Sequence, residues 1–186
     1  MKELSLNLLD VAENSVKAGA TLTELLLTEE QNRLTMTIRD DGCGMSAEVV
    51  AKVIDPFYTT RTTRKVGLGV PFLKMEAEQT GGSLTISSTE ASVDPICHGT
   101  TLTAVFYTDH VDFTPLGDVI STVSTLIQGH PDTDFLFSHT TEKGEVRLDT
   151  RELRSVLGED VSLGEYEVIK WIEAYLKEQY DDLQGI

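Results

Sequence analysis

Residues 33–45, RLTMTIRDDGCGM, constrain the fold more than any other stretch of the chain. Leu34, Met36 and Ile38 alternate with Thr35, Thr37 and Arg39, the period of a strand with one buried face. That strand runs directly into Asp40-Asp41-Gly42-Cys43-Gly44. A tight turn calls for glycine, but it does not call for acids at the end of an apolar strand. A carboxylate in that position is partly buried and needs donors. A plain turn explains the glycines and leaves Asp40 without a task.

The rest of the chain supplies a pattern in which such a loop is embedded. Leu4, Leu8, Val11 and Ser15, widened by Leu9 and Ala12, predict a helix over 3–18 that Gly19 stops. Residues 21–28 and 33–40 read as a hairpin around Glu29-Glu30-Gln31-Asn32. Ser46 is an N-cap for a short helix carrying Val49, Val50, Val53 and Ile54. Another helix starts near Val70, with Pro71 in its first turn, and ends at Gly81-Gly82. Strands follow at 83–89 and 100–107. Beyond 109 the pattern predicts a helix over 115–129, a hairpin from 134–140 and 144–150, a short helix at 151–158 and an amphipathic helix at 165–181. In that last helix Val168, Ile169, Ile172, Tyr175 and Leu176 share a face. No repeat or low-complexity linker separates the two halves, so the C-terminal part reads as a packed extension.

Charge divides the chain and limits its partners. The 186 residues carry a net charge of −16. Residues 1–108 hold 9 basic and 14 acidic side chains, net −5, and residues 109–186 hold 6 and 17, net −11. This supports a division into 1–108 and an acidic extension, 109–186. An acidic protein is repelled by a nucleic-acid backbone, so nucleic acid is not an expected partner. No apolar run is long enough to span a bilayer, and no signal peptide is evident. Neither a membrane nor export is expected, and a cytoplasmic protein is the default. Cys43 and Cys97 form no disulfide framework. His98, His110, His130 and His139 lack metal-ligand spacing and read mostly as loop or surface residues. Against this background Pro56–Met75 contains no Asp or Glu and carries Arg61, Arg64, Lys65 and Lys74. Such an island suits a small anion better than a polymer.

Four features can carry chemistry. Asp10, Asn14 and Lys17 fall at i, i+4 and i+7, on one face of the first helix. A carboxylate and a carboxamide there can hold a hard cation and a water, although the trio alone better describes a solvated face. Asp40 can accept from an adenine amino group, with Gly42 and Gly44 letting the backbone approach a flat ring. Val66-Gly67-Leu68-Gly69-Val70 leads into a helix, and backbone N–H groups in such a loop favour phosphate. It is neither a Walker A loop nor a dinucleotide fingerprint. His98-Gly99-Thr100-Thr101 opens a strand and offers a hydroxyl near Asp40.

Taken in order, these segments resemble the Bergerat ATP-binding fold of the GHKL family of gyrase B, heat-shock chaperones, histidine kinases and MutL. AENSVKAGAT (12–21) resembles the N box of MutL-type members. DDGCGM (40–45) resembles the DxGxG box. DPFYTTR (55–61) with VGLGV (66–70) resembles the F box and second glycine box of sensor kinases, and GGSLTISS and HGTTLTAVFY resemble the closing strands. The resemblance covers residues 3–108 and implies an α+β fold, an α/β sandwich of a mixed sheet covered by helices, here with an α/β C-terminal extension. It implies ATP with Mg²⁺ as cofactors, with ATP or ADP and a partner protein as binding partners. By the same resemblance Asn14 is the magnesium-binding residue, Lys17 a phosphate contact and Asp40 the adenine acceptor. Gly42 and Gly44 line the base pocket, Gly67, Leu68 and Gly69 the phosphates, and Thr100 joins the base's hydrogen bonds. Arg61, Arg64 and Lys65 belong to a short lid over 57–66. Hydrolysing members carry glutamate where this chain has Asp10, one methylene shorter, so Asp10 is the candidate base with a reduced reach. An acceptor domain before the first helix is not expected, and the His110–Pro115 spacing follows a strand rather than lying in a helix. A stand-alone regulatory protein kinase, a slow ATPase and a non-catalytic nucleotide switch all fit these residues.

Overall fold

The alternating residues of the two central strands, β1 (Leu22–Glu30) and β2 (Arg33–Asp40), set the geometry of the molecule. In the computed structural model, which describes residues 3–55, 69–158 and 160–185, they pair antiparallel from Thr23↔Asp40 to Glu30↔Arg33. The loop is therefore the two residues Gln31-Asn32, shorter than the four the sequence suggested. Gln31 takes a φ of 51° to make it. β3 (Ser83–Thr89) and β4 (Gly99–Tyr107) extend the sheet on one side. β5 (Asp134–Thr141) and β6 (Gly144–Asp149) extend it on the other. The order is β3-β4-β2-β1-β5-β6, with β5 parallel to β1 and the other neighbours antiparallel.

Alternate residues of this sheet face a layer of helices. Leu25, Leu27, Leu34, Met36, Ile38, Ala104, Phe106, Phe135 and Phe137 are buried. They join one core with Leu4, Leu8 and Ala12 of α1 (Leu4–Lys17), Leu73 and Ala77 of α3 (Gly69–Gln79), Val123, Leu126 and Ile127 of α4 (Val119–Gly129), and Ile172 and Leu176 of α6 (Tyr166–Gln184). Each fully buried Leu or Phe contributes about 1.5–3 kcal/mol, so the helix layer and the sheet depend on one another. The intervening positions Thr35, Thr37, Thr101 and Thr103 are half-buried, and the hydroxyls of Thr37 and Thr103 meet at 3.3 Å across the strands. This is an α+β fold with a mixed six-stranded sheet. The more acidic C-terminal residues are built into it through β5 on β1 and α4 against α1.

Several local departures from the sequence reading have physical causes. The predicted helix over 115–129 begins only at Val119, because Asp118 caps it by accepting from Ser121 N–H at 2.9 Å. The segment before it caps another helix instead: Leu4 and Ser5 N–H donate to the carbonyls of Pro115 and Leu116 at 2.9 and 2.8 Å. Tyr175 lies off the buried face of α6 and is 38% exposed, while Val168, Ile169, Ile172 and Leu176 are buried. Two histidines expected at the surface are engaged inward. His139 is 4% exposed, with Nδ1 2.7 Å from the Tyr180 hydroxyl and Nε2 3.1 Å from Glu29. His98 is half-buried at the end of β4.

Candidate functional site

The C-terminal half of α1 lies over the end of β2, and the cavity forms where the two diverge. Val11, Asn14, Ser15, Lys17 and Ala18 make one wall. Ile38 and Asp40 of β2, Ile86 of β3, and Thr100 and Leu102 of β4 make the floor. Gly44 and Met45, together with Val49 and Val53 of α2 (Ala47–Val53), close the opposite side, and Val70 of α3 completes it. Ser46 caps α2 by accepting from Val49 N–H, which fixes the helix that presents both valines. The enclosed volume is about 450 Å³. Its walls are largely apolar and its polar groups few, as in sites for flat organic ligands.

The polar centre is Asp40. Ser15 Oγ donates to one carboxylate oxygen at 2.7 Å, and the Gly42 N–H donates to the other at 3.0 Å. These two donors fix the carboxylate while leaving lone pairs on each oxygen. Thr100 is the cross-strand partner of Asp40, and its hydroxyl lies 2.8 Å from Ser88 Oγ. Ser88 in turn accepts from Met45 N–H at 2.8 Å, so it ties the loop after β2 to the sheet edge. The second acid has a different task. Asp41 accepts from the backbone N–H groups of Thr21 and Leu22 at 2.7 and 2.9 Å and from the Thr21 hydroxyl. Burial pushes its pKa up, but these hydrogen bonds outweigh burial and hold it below the usual carboxylate value. Asp41 therefore anchors the start of β1.

The loop needs its glycines for different reasons. Gly44 has φ +69°, and a Cβ there would fall 1.9 Å from the Thr89 carbonyl oxygen. Gly42 does not line the cavity as the sequence suggested; it supports Asp40 from behind, packed so that a Cβ would meet Ala18 at 3.0 Å. Cys43 N–H donates to the Ala18 carbonyl at 2.9 Å, closing the loop onto the end of α1. His98 Nδ1 is 2.6 Å from the Gly42 carbonyl oxygen. A carbonyl only accepts, so Nδ1 carries the hydrogen.

Asn14 and Lys17 stand on the cavity wall, and neither side chain has a hydrogen-bond or ion-pair partner among the described residues. Asp10, one turn earlier, is exposed and outside the cavity lining. It abuts the start of α3, where a Cβ on Gly69 would come within 2.9 Å of the Asp10 Cβ. The helix that follows the second glycine segment thus meets α1 on the face carrying Asp10 and Asn14. Arg61, Arg64, Lys65, Gly67 and Leu68, with the lid over 57–66, lie outside the described residues. Lys74, from the same acid-free island, is on α3, 3.8 Å from Glu78. The sequence reading missed Ser15, Ser88 and His98. Ser15 occupies an apolar stripe position, and a hydroxyl there facing the end of a strand was the available signal.

The layout is that of a nucleotide-binding α/β sandwich: a helix carrying Asn and Lys over a carboxylate at a strand end, beside a glycine-rich turn. Residues 2–110 match the family of histidine kinase-, DNA gyrase B- and HSP90-like ATPases, and the chain belongs to that family. It is 32% identical over 96 residues to the heme sensor protein HssS of Staphylococcus saprophyticus, covering 50% of this chain and 20% of that protein. It is 36% identical over 61 residues to the C4-dicarboxylate transport sensor protein DctB of Pseudomonas aeruginosa, covering 32% of this chain and 10% of that one. The chain therefore spans a fifth or less of the length of these relatives. The ATPase domain of Aquifex aeolicus MutL, solved with ADP, shares the fold with a TM-score of 0.54 at 14% identity, over 84% of this chain and 69% of that one. That coverage exceeds residues 2–110, so the shared fold takes in part of the C-terminal region. Among the described residues no helix is long and apolar enough to cross a membrane.

Proposed function

We propose that the cavity binds ATP and that the chain uses it to regulate a partner protein. The observation that carries this reading is the carboxylate of Asp40, held by Ser15 and Gly42 at the floor of an apolar cavity and still able to accept. An adenine ring fits such a site: its faces match Ile38, Ile86 and Leu102, and its exocyclic amino group adds a donor to a half-buried carboxylate that can still accept. The family membership and the MutL domain solved with ADP support the same ligand.

Asn14 and Lys17 are uncommitted polar groups on the wall leading from Asp40 toward Asp10 and Gly69. Lys17 suits a phosphate, and Asn14 suits a Mg²⁺ ion. No group of three or more His, Cys, Asp or Glu among the described residues can hold a metal ion, so the ion would rest mainly on phosphate and water oxygens, as Mg²⁺ commonly does. A Mg²⁺ ion held there would neutralise phosphate charge. The chain's own residues orient the base, exclude water from it through Met45, Val49 and Val53, and offer Asp10 as the proton acceptor.

Two outcomes of nucleotide binding follow from this arrangement. Phosphoryl transfer depends mostly on positioning and electrostatics, and sensor proteins are among the relatives, which favours transfer to a Ser, Thr or His of a partner. The short reach of Asp10 favours the alternative, slow hydrolysis or a nucleotide-dependent switch. Incubating the full chain with labelled ATP, alone and with cell extract, separates them. Label on a second protein supports the kinase reading. Slow phosphate release that is lost in Asp10→Asn supports the ATPase, and release unchanged in that variant removes Asp10 from the chemistry.

A further inference from the structure

The chain's single tryptophan is not in its core. Trp171 on α6 is 50% exposed, although tryptophan is highly buried on average. Its ring stacks on Tyr175, with centroids 4.9 Å apart and planes 10° from parallel. At 100° per residue, Glu167, Trp171, Tyr175, Glu178 and Asp182 fall within one exposed sector of α6, beside the face formed by Val168, Ile169, Ile172 and Leu176. Lys170 and Lys177, the helix's only basic residues, lie outside that sector. The result is a stripe of two stacked aromatic rings flanked by three carboxylates, with no base of α6 within it. The sheet does not need this stripe: Gln179 on the same helix already covers the edge strand β6, exchanging hydrogen bonds with the backbone of Arg147 at 2.9 and 3.1 Å.

We propose that this stripe docks an arginine-bearing, positively charged segment of a partner protein. Charge selects the sign of the occupant. Three carboxylates on one sector, in a region of net charge −11, repel acidic chains and nucleic acid and attract cations. The rings select the cation. A guanidinium is planar, weakly hydrated and stacks on aromatic faces while its edge pairs with carboxylates; an ammonium does only part of this. The helix already shows the chemistry on a small scale, with Lys170 Nζ 5.6 Å from the centre of the Tyr166 ring. The stripe also lies at the β6 edge of the sheet, whereas the nucleotide cavity draws on β2, β3 and β4, so a partner can occupy it without covering the cavity mouth.

Because Trp171 is the only tryptophan, its emission reports directly on the stripe. The test titrates the full chain with a short peptide alternating arginine and alanine, and with its lysine counterpart. The expected result is a saturable change in emission with the arginine peptide and affinity about fivefold weaker for the lysine peptide. Asp182→Lys and Glu178→Lys each weaken the arginine peptide about fivefold. Glu78→Lys, the same charge change on α3 at the opposite side of the sheet, leaves it unchanged. Equal weakening by Glu78→Lys means attraction to net charge alone and overturns the proposal. So does equal binding of the two peptides, or sedimentation showing that without peptide Trp171 is covered by a second copy of the chain.

Discussion

Two adjacent carboxylates perform unrelated work in this protein. Asp40 faces the cavity and Asp41 pins β1, although the sequence presents them as a pair. Substitution should separate them. Asp41→Ala is expected to leave nucleotide affinity unchanged and, since Asp41 is solvent-exposed, to lower stability by only about 0.5–1.5 kcal/mol, read by urea unfolding. The wild type's advantage should be present at neutral pH and fade as pH falls through the lowered pKa of Asp41, because the native state then loses the ionised form that its hydrogen bonds prefer. Asn14→Ala should remove only the Mg²⁺-dependent part of ATP binding, read by titration with and without the ion; equal affinities with and without the substitution would remove Asn14 from metal binding. At this scale the sequence singled out Asp40, an acid at the end of an apolar strand, and the structure brings Gly44 and Thr100 onto the same cavity. It concealed Ser15, whose hydroxyl is indistinguishable from helix filler until the strand beneath it is known.

At the scale of elements, strand alternation and helical spacing placed every helix and strand of the described residues to within a few positions. The errors came from contacts between elements. Residues 115–117 cannot join α4 because their carbonyls serve the first turn of α1. His139 cannot be a surface residue because β5 carries it beneath α6. Its pKa is lowered, with burial the main cause and Glu29 opposing it. The other titratable group in direct contact is Tyr180, whose pKa is raised by burial and by Glu29. A buried neutral histidine costs stability once the unfolded chain begins to take up a proton that the native chain refuses. Stability should therefore decline as pH falls below about 6.5, the ordinary histidine value, with a slope of up to about 1.4 kcal/mol per pH unit that flattens below the native pKa. His139→Gln should flatten that segment of the pH profile; an unchanged profile would show that His139 does not set it.

For the whole molecule, charge suggested a boundary near residue 109, while the strand order runs straight through it. The parallel pairing of β1 with β5 joins residues more than a hundred positions apart, and no local pattern encodes such a contact. This is why the local pattern around residues 40–45 was legible and the placement of the C-terminal half was not. Ending the chain at residue 110 would strip α4 from α1 and Phe113 from Phe106 and expose β1 as an edge, a template for aggregation. The truncated chain is expected to lack a cooperative unfolding transition and to aggregate; a soluble fragment with full nucleotide affinity would establish an independent domain at 1–108.

The function proposed for this protein depends on the Asp40 carboxylate gripping a purine through its amino group. Calorimetric titration of the intact chain and of Asp40→Asn with ATP and GTP tests it most directly. The intact chain should bind ATP, Asp40→Asn should lose about 1.5–3 kcal/mol, which is more than about tenfold in affinity, and GTP should bind weakly, since guanine presents a carbonyl where adenine presents its amino group. Equal ATP affinity in the two proteins, or no preference for ATP over GTP, would contradict it.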